Sequence, residues 1–326
     1  MKQFPAGKSL LALMLAAAAP AALAQSAANY PDKPIRLVVP FSAGGALDVV
    51  GRLLGQKLTD AWGRPVVIDN RVGAGGNIGA EFVAKSAPDG YTLLMSSVTT
   101  MAINMSLTPK PPYDFERDFS PVAMNAAAPL ALMIHPALPA KSVKEFIALA
   151  KARPGELNYF SSGIGTGTHL AAAIFDQMAG VKTMHVPYKG AGQAITDLLS
   201  GQMQFAFSTL QLALPHEKTG RVRVLGIGSQ NRYPRLPALP AIAETVKGYE
   251  AVQLYGVVAP RGTPAPIVQK LASELRNISA SADVQERLLA QGIAPLASTP
   301  EEFTRDISRN IAQFGKVIRS LDIRVE

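Results

Sequence analysis

Short apolar runs that alternate with amphipathic helical patterns constrain the fold of this chain more than any other feature. Residues 35–41 (IRLVVPF) are rich in strand-favouring residues, and residues 45–62 follow with Leu54 and Leu58 on one helical stripe. The same succession recurs along the chain. Strands that alternate with helices of this length are typical of βαβ units, so the sequence predicts an α/β protein with parallel sheets.

The apolar runs and helical stripes give approximate bounds for each element. The predicted strands are Ile35–Phe41, Val66–Asp69, Thr92–Ser96, Leu130–Ile134, Asn158–Ser161, Thr183–Val186, Phe205–Ser208, Val222–Gly226 and Val252–Val258. The predicted helices are Gly45–Trp62, Gly76–Ala87, Val143–Ala152, Thr168–Ala179, Gly192–Leu199, Ala265–Ile278, Val284–Gln291 and Pro300–Leu321. Capping boxes at Ser142–Glu145 and Thr299–Glu302 mark two helix starts. Proline-rich stretches at 109–112 and 234–240 are candidate passages between two domains.

Composition removes several classes of protein. The 326 residues are 48% hydrophobic and 17% charged, which excludes intrinsic disorder and suits about two domains. Cysteine is absent, so a disulfide framework, a cysteine nucleophile and a cysteine-ligated metal are excluded. The few histidines, among them His135, His185 and His216, lack the spacing of metal ligands, and no metal site is predicted.

The first 24 residues read as a cleavable secretory signal peptide. Lys2 and Lys8 precede an apolar run from Leu10 to Leu23, and an A-x-A site places the cleavage after Ala24. The net charge of +8 comes from scattered basic residues without interleaved aromatic residues. Nucleic acid is therefore not a predicted partner, whereas an anionic small molecule is compatible with this charge.

Two glycine-rich segments are candidate anion sites. Residues 40–48 (PFSAGGALD) and 161–169 (SSGIGTGTH) each join a strand to a helix, where unpaired N–H groups favour an anion. The alternative for residues 40–48 is a purely structural turn. Neither segment fits G-x-G-x-x-G, since that pattern would need a glycine at Thr168, and no P-loop occurs.

Catalytic interpretations of the same residues are weaker. Ser161 or Ser162 with His169 resembles a nucleophile and base, but G-x-S-x-G is absent and the residues lie across a turn. Asp48 and Asp197 could form an acid–base pair. Lys189 could be a surface cation or an anion contact, and we favour the surface.

An ordered set of motifs resembles the Bug family of periplasmic solute-binding proteins, which serve tripartite tricarboxylate transporters. The motifs are Pro40-Phe41 with Gly44-Gly45-x-x-Asp48-x-x-Gly51-Arg52, Asp69-Asn70-x-x-Gly73-Ala74-Gly75-Gly76-x-x-Gly79, Pro88-Asp89-Gly90-Tyr91-Thr92-Leu93-Leu94, Tyr113-Asp114 with Asp118-Phe119-x-Pro121-Val122, Gly165-Thr166-x-x-His169-Leu170-Ala171, His185-Val186-Pro187-Tyr188-Lys189-Gly190, Asp197-Leu198-Leu199-x-Gly201 and Ala259-Pro260-x-Gly262-Thr263-Pro264. Where many members have tryptophan and aspartate, this chain has Tyr255 and Gln204.

The resemblance implies a two-lobed type II periplasmic-binding-protein fold with a ligand cleft between the lobes. Residues 25–124 and 238–326 would form lobe 1, and residues 125–237 lobe 2. It also implies a small carboxylate as cargo and no cofactor. The ligand-binding residues expected from the glycine-rich segments and the resemblance are Phe41, Ser42, Gly44, Gly45, Asp48, Ser97, Ser162, Gly165, Thr166, Thr168, His169, Asp197 and Tyr255.

The predicted function is capture of a small organic carboxylate by cleft closure and its delivery to a two-component membrane permease. The protein is expected in the periplasm as a monomer, without catalytic residues. Two alternatives remain at this point: an exported enzyme that acts on a carboxylate or ester, and a ligand-sensing module for a receptor kinase.

Overall fold

The computed structural model describes residues 29–107 and 110–320. The predicted signal peptide, with its cleavage site after Ala24, lies outside the described residues. The described part is an α/β structure in which ten strands form one mixed sheet. None of the helices within these two ranges is long and apolar enough to cross a bilayer.

Strands and helices alternate along most of the chain. The strands are β1 (Ile35–Val39), β2 (Val66–Asn70), β3 (Thr92–Ser97), β4 (Phe119–Ile134), β5 (Asn158–Ser161), β6 (Met184–Pro187), β7 (Phe205–Thr209), β8 (Arg223–Ile227), β9 (Val252–Pro260) and β10 (Ala294–Pro295). The α-helices are α1 (Ala46–Trp62), α2 (Asn77–Ala84), α3 (Val98–Leu107), α4 (Val143–Ala152), α5 (Gly167–Ala179), α6 (Ala191–Leu199), α7 (Leu210–Lys218), α8 (Ala265–Ala280), α9 (Ala282–Ala290) and α10 (Pro300–Ser320).

The sheet has the order β2-β1-β3-β9-β4-β7-β5-β6, and β8 and β10 also pair with β4. Strand β1 is parallel to β2 and β3, and β5 is parallel to β6 and β7. Strands β4 and β9 are antiparallel to each other and to their other partners. The prediction of parallel sheets is therefore wrong at the centre, because β4 leads the chain out of one half and β9 leads it back.

Each half of the sheet has its own apolar core, which makes the structure two-lobed. Leu37, Leu54 and Tyr255 belong to the core of lobe 1. Phe175 and Tyr249 belong to the core of lobe 2, together with Ile242, Val246 and Ala251. Since these later side chains pack in lobe 2, we propose that the chain returns to lobe 1 at 251–252 rather than at the predicted 237–238. The stretch 234–240 is then part of lobe 2, where Leu236 and Leu239 pack.

The predicted helices are present with ends shifted by a few residues. The box at Thr299 is complete, because Thr299 N donates to Glu302 Oε2 at 2.8 Å and Glu302 N donates to Thr299 Oγ1 at 3.2 Å. Two helices were not predicted. Helix α3 is buried on nearly every side and so lacks an amphipathic stripe, whereas α7 carries Pro215 in its interior.

Strand β4 is also longer than predicted, since it begins at Phe119 rather than Leu130. Its first part, FSPVAMNAAAP, contains two prolines and a run of alanines, which are poor strand formers. Pairing with β9 over Phe119–Pro129 holds this part in the sheet. The pairing includes register shifts between Pro121 and Ala123 and between Met124 and Ala126.

Gly256 in β9 provides a test of how α10 packs on the sheet. A Cβ at this position would lie 2.6 Å from Phe303 Cζ and 2.8 Å from the Ala123 carbonyl oxygen. We expect Gly256→Ala to lower the free energy of unfolding by about 1–3 kcal/mol in urea denaturation, because the site is overpacked. The added substitution Phe303→Leu should restore part of this loss. Val67→Ala, at a side chain 54% exposed, is the control and should change stability by less than about 0.5 kcal/mol. Wild-type stability of Gly256→Ala would contradict this packing.

Candidate functional site

A cavity lies between the lobes, at the carboxyl ends of strands from both halves of the sheet. We call it the serine–threonine compartment. It holds about 600 Å³ of space between the side chains, part of which is open to solvent. Its lining residues are Phe41, Ser42, Gly45, Ala46, Leu47, Asp48, Ser97, Thr100, Ser162, Thr166, Thr168, Gly190, Ala191, Gly192, Ser208, Thr209, Leu212, Gln253 and Tyr255. Lys, Arg and His are absent from this lining.

Asp48 holds the first glycine-rich loop in place. Its Oδ2 accepts from Gly44 N at 3.0 Å and from Arg52 Nε at 2.8 Å, and its Oδ1 accepts from Asn70 Nδ2 at 2.9 Å. Burial raises the pKa of this carboxyl, but the donors from Arg52, Gly44 and Asn70 outweigh burial, so the pKa is lowered. Asn70 Nδ2 also donates to the Phe41 carbonyl at 3.0 Å. Asp48 is therefore ionised and fixes the loop from both ends.

Helices α1, α6 and α7 begin at the compartment without a side-chain cap. Their N-cap residues are Gly45, Gly190 and Thr209, and none of them accepts a capping hydrogen bond through its side chain. The first four N–H groups of a helix have no partner within the helix, and the N-terminus carries partial positive charge. These three helix ends therefore supply neutral donors and a favourable potential for an anion.

Helix α5 begins in a different way, because its N-terminus is already occupied by hydroxyl groups. Thr166 Oγ1 lies 2.9 Å from Thr168 Oγ1, which accepts from Ser162 N at 2.9 Å. Gly167 N donates to Thr100 Oγ1 at 3.4 Å, across the boundary between the lobes. This side of the compartment is thus a preformed hydrogen-bonded wall rather than a set of free donors.

Two further polar side chains complete the compartment. Ser97 Oγ donates to Gln253 Oε1 at 3.2 Å and places this amide of β9 beside the start of α5. Ser208 is 1% exposed, and its Oγ has no hydrogen-bond partner in the described chain. A buried hydroxyl without a partner is costly, so Ser208 is a ready donor for a bound anion.

The structure brings most of the predicted site residues together. Phe41, Ser42, Gly45, Asp48, Ser97, Ser162, Thr166, Thr168 and Tyr255 line the serine–threonine compartment. Gly44, Gly165, His169 and Asp197 are not part of this lining. Gly44 acts through Asp48 as described above, Gly165 faces a neighbouring compartment, and Asp197 accepts from the Tyr188 hydroxyl.

The lining residues that were not predicted are Ala46, Leu47, Thr100, Gly190, Ala191, Gly192, Ser208, Thr209, Leu212 and Gln253. Ser208 and Thr209 lie at the end of β7, just before α7. This segment is not glycine-rich like residues 40–48, but a strand directly followed by a helix would have indicated it if α7 had been predicted. Thr100 was missed for the same reason, since α3 follows β3 directly. Gln253 had no local signal, because β9 brings it to the site from a distant part of the sequence.

His169 belongs to a partly buried aromatic stack beneath the second glycine-rich loop. The centroid of its ring lies 4.1 Å from that of the His185 ring. The Tyr159 ring stacks on His185, with the two centroids 5.0 Å apart. His185 Nε2 lies 2.7 Å from Ser161 Oγ, and His169 Nδ1 accepts from Gly165 N at 3.3 Å. Ser161 therefore meets His185 rather than His169, and neither partner of this pair lines the compartment. The stack supports the loop from below.

A second cavity adjoins the first, and we call it the lysine compartment. It encloses about 1030 Å³, part of it open to solvent, and shares Phe41 and Ser162 with the serine–threonine compartment. Segments 73–77 and 162–165 and residues Pro187–Lys189 form most of its wall. Among the residues that the structure describes, no group of three or more His, Asp or Glu side chains could hold a metal ion.

The lobes touch across both compartments. A Cβ on Gly190 would lie 2.6 Å from Ser42 Oγ, and one on Gly75 would lie 3.1 Å from the Ile164 carbonyl oxygen. Ile103 and Leu107 of lobe 1 also pack with Leu170 of lobe 2. The cleft is therefore nearly closed in this structure.

The histidine stack predicts an acid-dependent loss of stability. Burial lowers the pKa of His169 to about 4 and, with repulsion from His169, that of His185 to about 3, against the ordinary 6.5. The unfolded chain therefore takes up protons first as the pH falls. The contribution of the two histidines to stability is complete above about pH 6.5 and is lost progressively as the pH falls towards about 3. We expect the melting temperature to fall over the same pH range. The slope of melting temperature against pH should be smaller in His185→Gln. His135→Gln, outside the stack, should keep the wild-type slope, and an unchanged slope in His185→Gln would exclude the stack as its source.

Comparison with known proteins places this geometry in a family. Residues 50–323 match the family described as TctC, tripartite tricarboxylate transporter family receptor. Protein BugT of Bordetella pertussis is 38% identical over 305 residues, 92% of this chain and 93% of BugT. The structure of R. palustris Rpa4515 with adipate has a TM-score of 0.88 and 36% identity, covering 90% of this chain and 99% of that one. MatC from Rhodopseudomonas palustris with bound malate has a TM-score of 0.83 and 30% identity, covering 89% of this chain and all of that one. This chain belongs to the tripartite tricarboxylate transporter receptor family.

Proposed function

We propose that this protein is a solute receptor that captures a small organic carboxylate between its lobes and delivers it to a tripartite tricarboxylate-type transporter. The family of the chain supports the receptor role. The adipate and malate bound to the two related structures support a carboxylate as cargo. Within the proposal, the protein works in the periplasm after cleavage behind Ala24 and docks as a monomer on a two-component permease.

The observation that carries the proposal is the donor set of the serine–threonine compartment. Uncapped helix N-termini come from both lobes, and the buried hydroxyl of Ser208 has no partner in the described chain. A carboxylate placed among them would accept hydrogen bonds from several neutral donors at once. Hydrogen bonds to a charged group contribute about 1.5–3 kcal/mol each. A few such bonds offset the desolvation of one carboxylate and allow micromolar binding, about −8 kcal/mol.

The position of the donors explains how binding is coupled to closure. The loop before α1 belongs to lobe 1, whereas α6, α7 and Ser208 belong to lobe 2. Only the closed arrangement brings both sets within reach of one carboxylate, and a ligand shifts the lobes through its preference for that state. Ser42 beside Gly190 is one contact between the lobes that has no room for a larger side chain, since a Cβ on Gly190 would lie 2.6 Å from Ser42 Oγ.

The enzyme alternative finds little support in the geometry. Among the residues that the structure describes, the Ser161–His185 pair is the arrangement that resembles a nucleophile and base, but Ser161 is 0% exposed and the pair does not line the compartment. A nucleophile must reach the reacting atom of its substrate. We therefore propose capture without turnover. A sensory role would use the same closed form, and uptake measured in a deletion strain separates it from transport.

Ser208→Ala tests the site with a small, buried change. We expect isothermal titration calorimetry to show saturable binding of a dicarboxylate to the wild-type protein, and mass spectrometry to recover the ligand intact. Ser208→Ala should weaken binding by about tenfold, since one donor to the carboxylate is lost. Ser200→Ala, at an exposed helix end, is the control and should bind like the wild type. A chemically altered ligand would support the enzyme alternative. Unchanged affinity of Ser208→Ala would remove Ser208 from the site.

A further inference from the structure

A third cavity lies along the two strands that join the lobes, and we call it the hinge groove. It holds about 1490 Å³ of space between the side chains, part of which is open to solvent. Helix α10 of lobe 1 forms one wall, from Asp306 to Val317, and helix α5 of lobe 2 forms the other, from Gly167 to Met178. The hinge groove is therefore a second gap between the lobes.

Strands β4 and β9 separate the hinge groove from the cleft. The side chains of a strand alternate between its two faces. Val252 and Leu254 of β9 line the hinge groove, as does Leu130 of β4, whereas Tyr255 lines the serine–threonine compartment. Gln253, between Val252 and Leu254 in sequence, borders both cavities. The cleft therefore lies on one face of the joining strands, and the hinge groove lies on the other.

Gaps on opposite faces of a hinge change in opposite directions when the lobes rotate. Rotation about β4 and β9 that opens the cleft brings α5 and α10 together, and rotation that closes the cleft moves them apart. These helices already meet at one place, where Leu170 and Ile318 belong to one apolar cluster. The cleft is nearly closed in this structure, as the contact between Ser42 and Gly190 indicates. The hinge groove is accordingly wide here, and it narrows as the cleft opens.

The wide hinge groove exposes apolar surface to water. Met178 is 41% exposed, although methionine is among the side chains that are most often buried. Ile174 and Phe314, both partly exposed, line the same groove. On the opposite wall, Asp306 and Arg309 form an ion pair at 2.6 Å. Removal of apolar surface from water is stabilising, so narrowing of the groove favours the open form of the protein.

We propose that the hinge groove sets how tightly the protein holds its cargo, because its apolar walls favour the open form and cargo binding has to offset this preference. The inference rests on the proposed function, since it concerns the equilibrium between open and closed forms that capture uses. The apparent affinity of a ligand is reduced by the fraction of protein that is not in the binding form. Side chains of the groove therefore determine the affinity for a cargo that they do not touch.

Met178 is a position at which the hinge groove can be changed without altering the cleft, since it lines the groove alone. Met178→Arg and Met178→Glu each place a charge there, which is hydrated in the wide groove and loses water in the narrowed one. Both variants should therefore favour the closed form, although their charges have opposite signs. Gln177→Arg and Gln177→Glu are the matched controls, because Gln177 is the exposed neighbour on α5 and lines none of the three cavities.

Two measurements on the wild type and the four variants test the proposal. Adipate and malate are titrated into each protein by isothermal titration calorimetry, and small-angle X-ray scattering gives the radius of gyration with and without the acid. Both Met178 variants should bind about threefold or more tightly than the wild type. Without ligand, their radius of gyration should be smaller than that of the wild type and closer to the liganded value. Both Gln177 variants should match the wild type.

Wild-type affinity and radius in both Met178 variants would overturn the role of the hinge groove and leave carboxylate capture intact. Opposite effects of Met178→Arg and Met178→Glu would overturn it too, because they would follow the sign of the charge. The same holds if the wild type is equally compact with and without ligand. Failure of both acids to bind any of the proteins would count against carboxylate capture, whereas a smaller radius of both Met178 variants would still support the groove.

Discussion

The main-chain pairing of β4 is the interaction on which the rest of the structure depends. Its first part pairs with β9 in lobe 1, and its last five residues pair with β7 and β8 in lobe 2. One strand therefore sets the relative position of two separate cores. The register shifts lie before the change of partners, and Asn125, the fully buried residue at the second shift, leaves its side-chain carbonyl without a partner in the described chain. Bulges bend a strand and weaken its ladder, so this is the natural place for the lobes to rotate.

The binding chemistry follows from that arrangement. Strands of both lobes point their carboxyl ends at the cleft, and the following helices present their N-termini to it. An anion can therefore be held by main-chain N–H groups and hydroxyls, without a cation in the serine–threonine compartment. The one carboxylate that lines this compartment, Asp48, accepts hydrogen bonds from Gly44, Arg52 and Asn70 and thereby holds the loop in place. Positive charge appears only in the lysine compartment, so the two ends of the cleft differ in kind.

Local patterns were sufficient for much of the fold and for one half of the site. Residues 40–48 were found because a strand, two glycines and a helix follow one another in sequence. Gln253 and Ser208 were not found, because their role depends on which strands become neighbours, and this is fixed by pairing between distant segments. Asp48 was predicted at the cleft, but its partner Asn70 lies on another strand, so its structural role could not be derived. The same limit applies to Ser161, whose partner His185 lies on the neighbouring strand β6.

The outermost strands of the sheet, β2 and β6, bear on how this protein behaves at high concentration. An unpaired strand edge can hydrogen-bond to another chain and start aggregation. Strand β6 is only four residues long and ends in Pro187, which has no N–H to offer. Strand β2 carries Asp69, which pairs with Arg71 and lies 3.9 Å from Arg36. Both edges thus resist intermolecular β-pairing, although each exposes an apolar side chain, Val67 or Met184. A receptor that opens and closes repeatedly can then accumulate in a crowded compartment without joining its sheet to that of a neighbour.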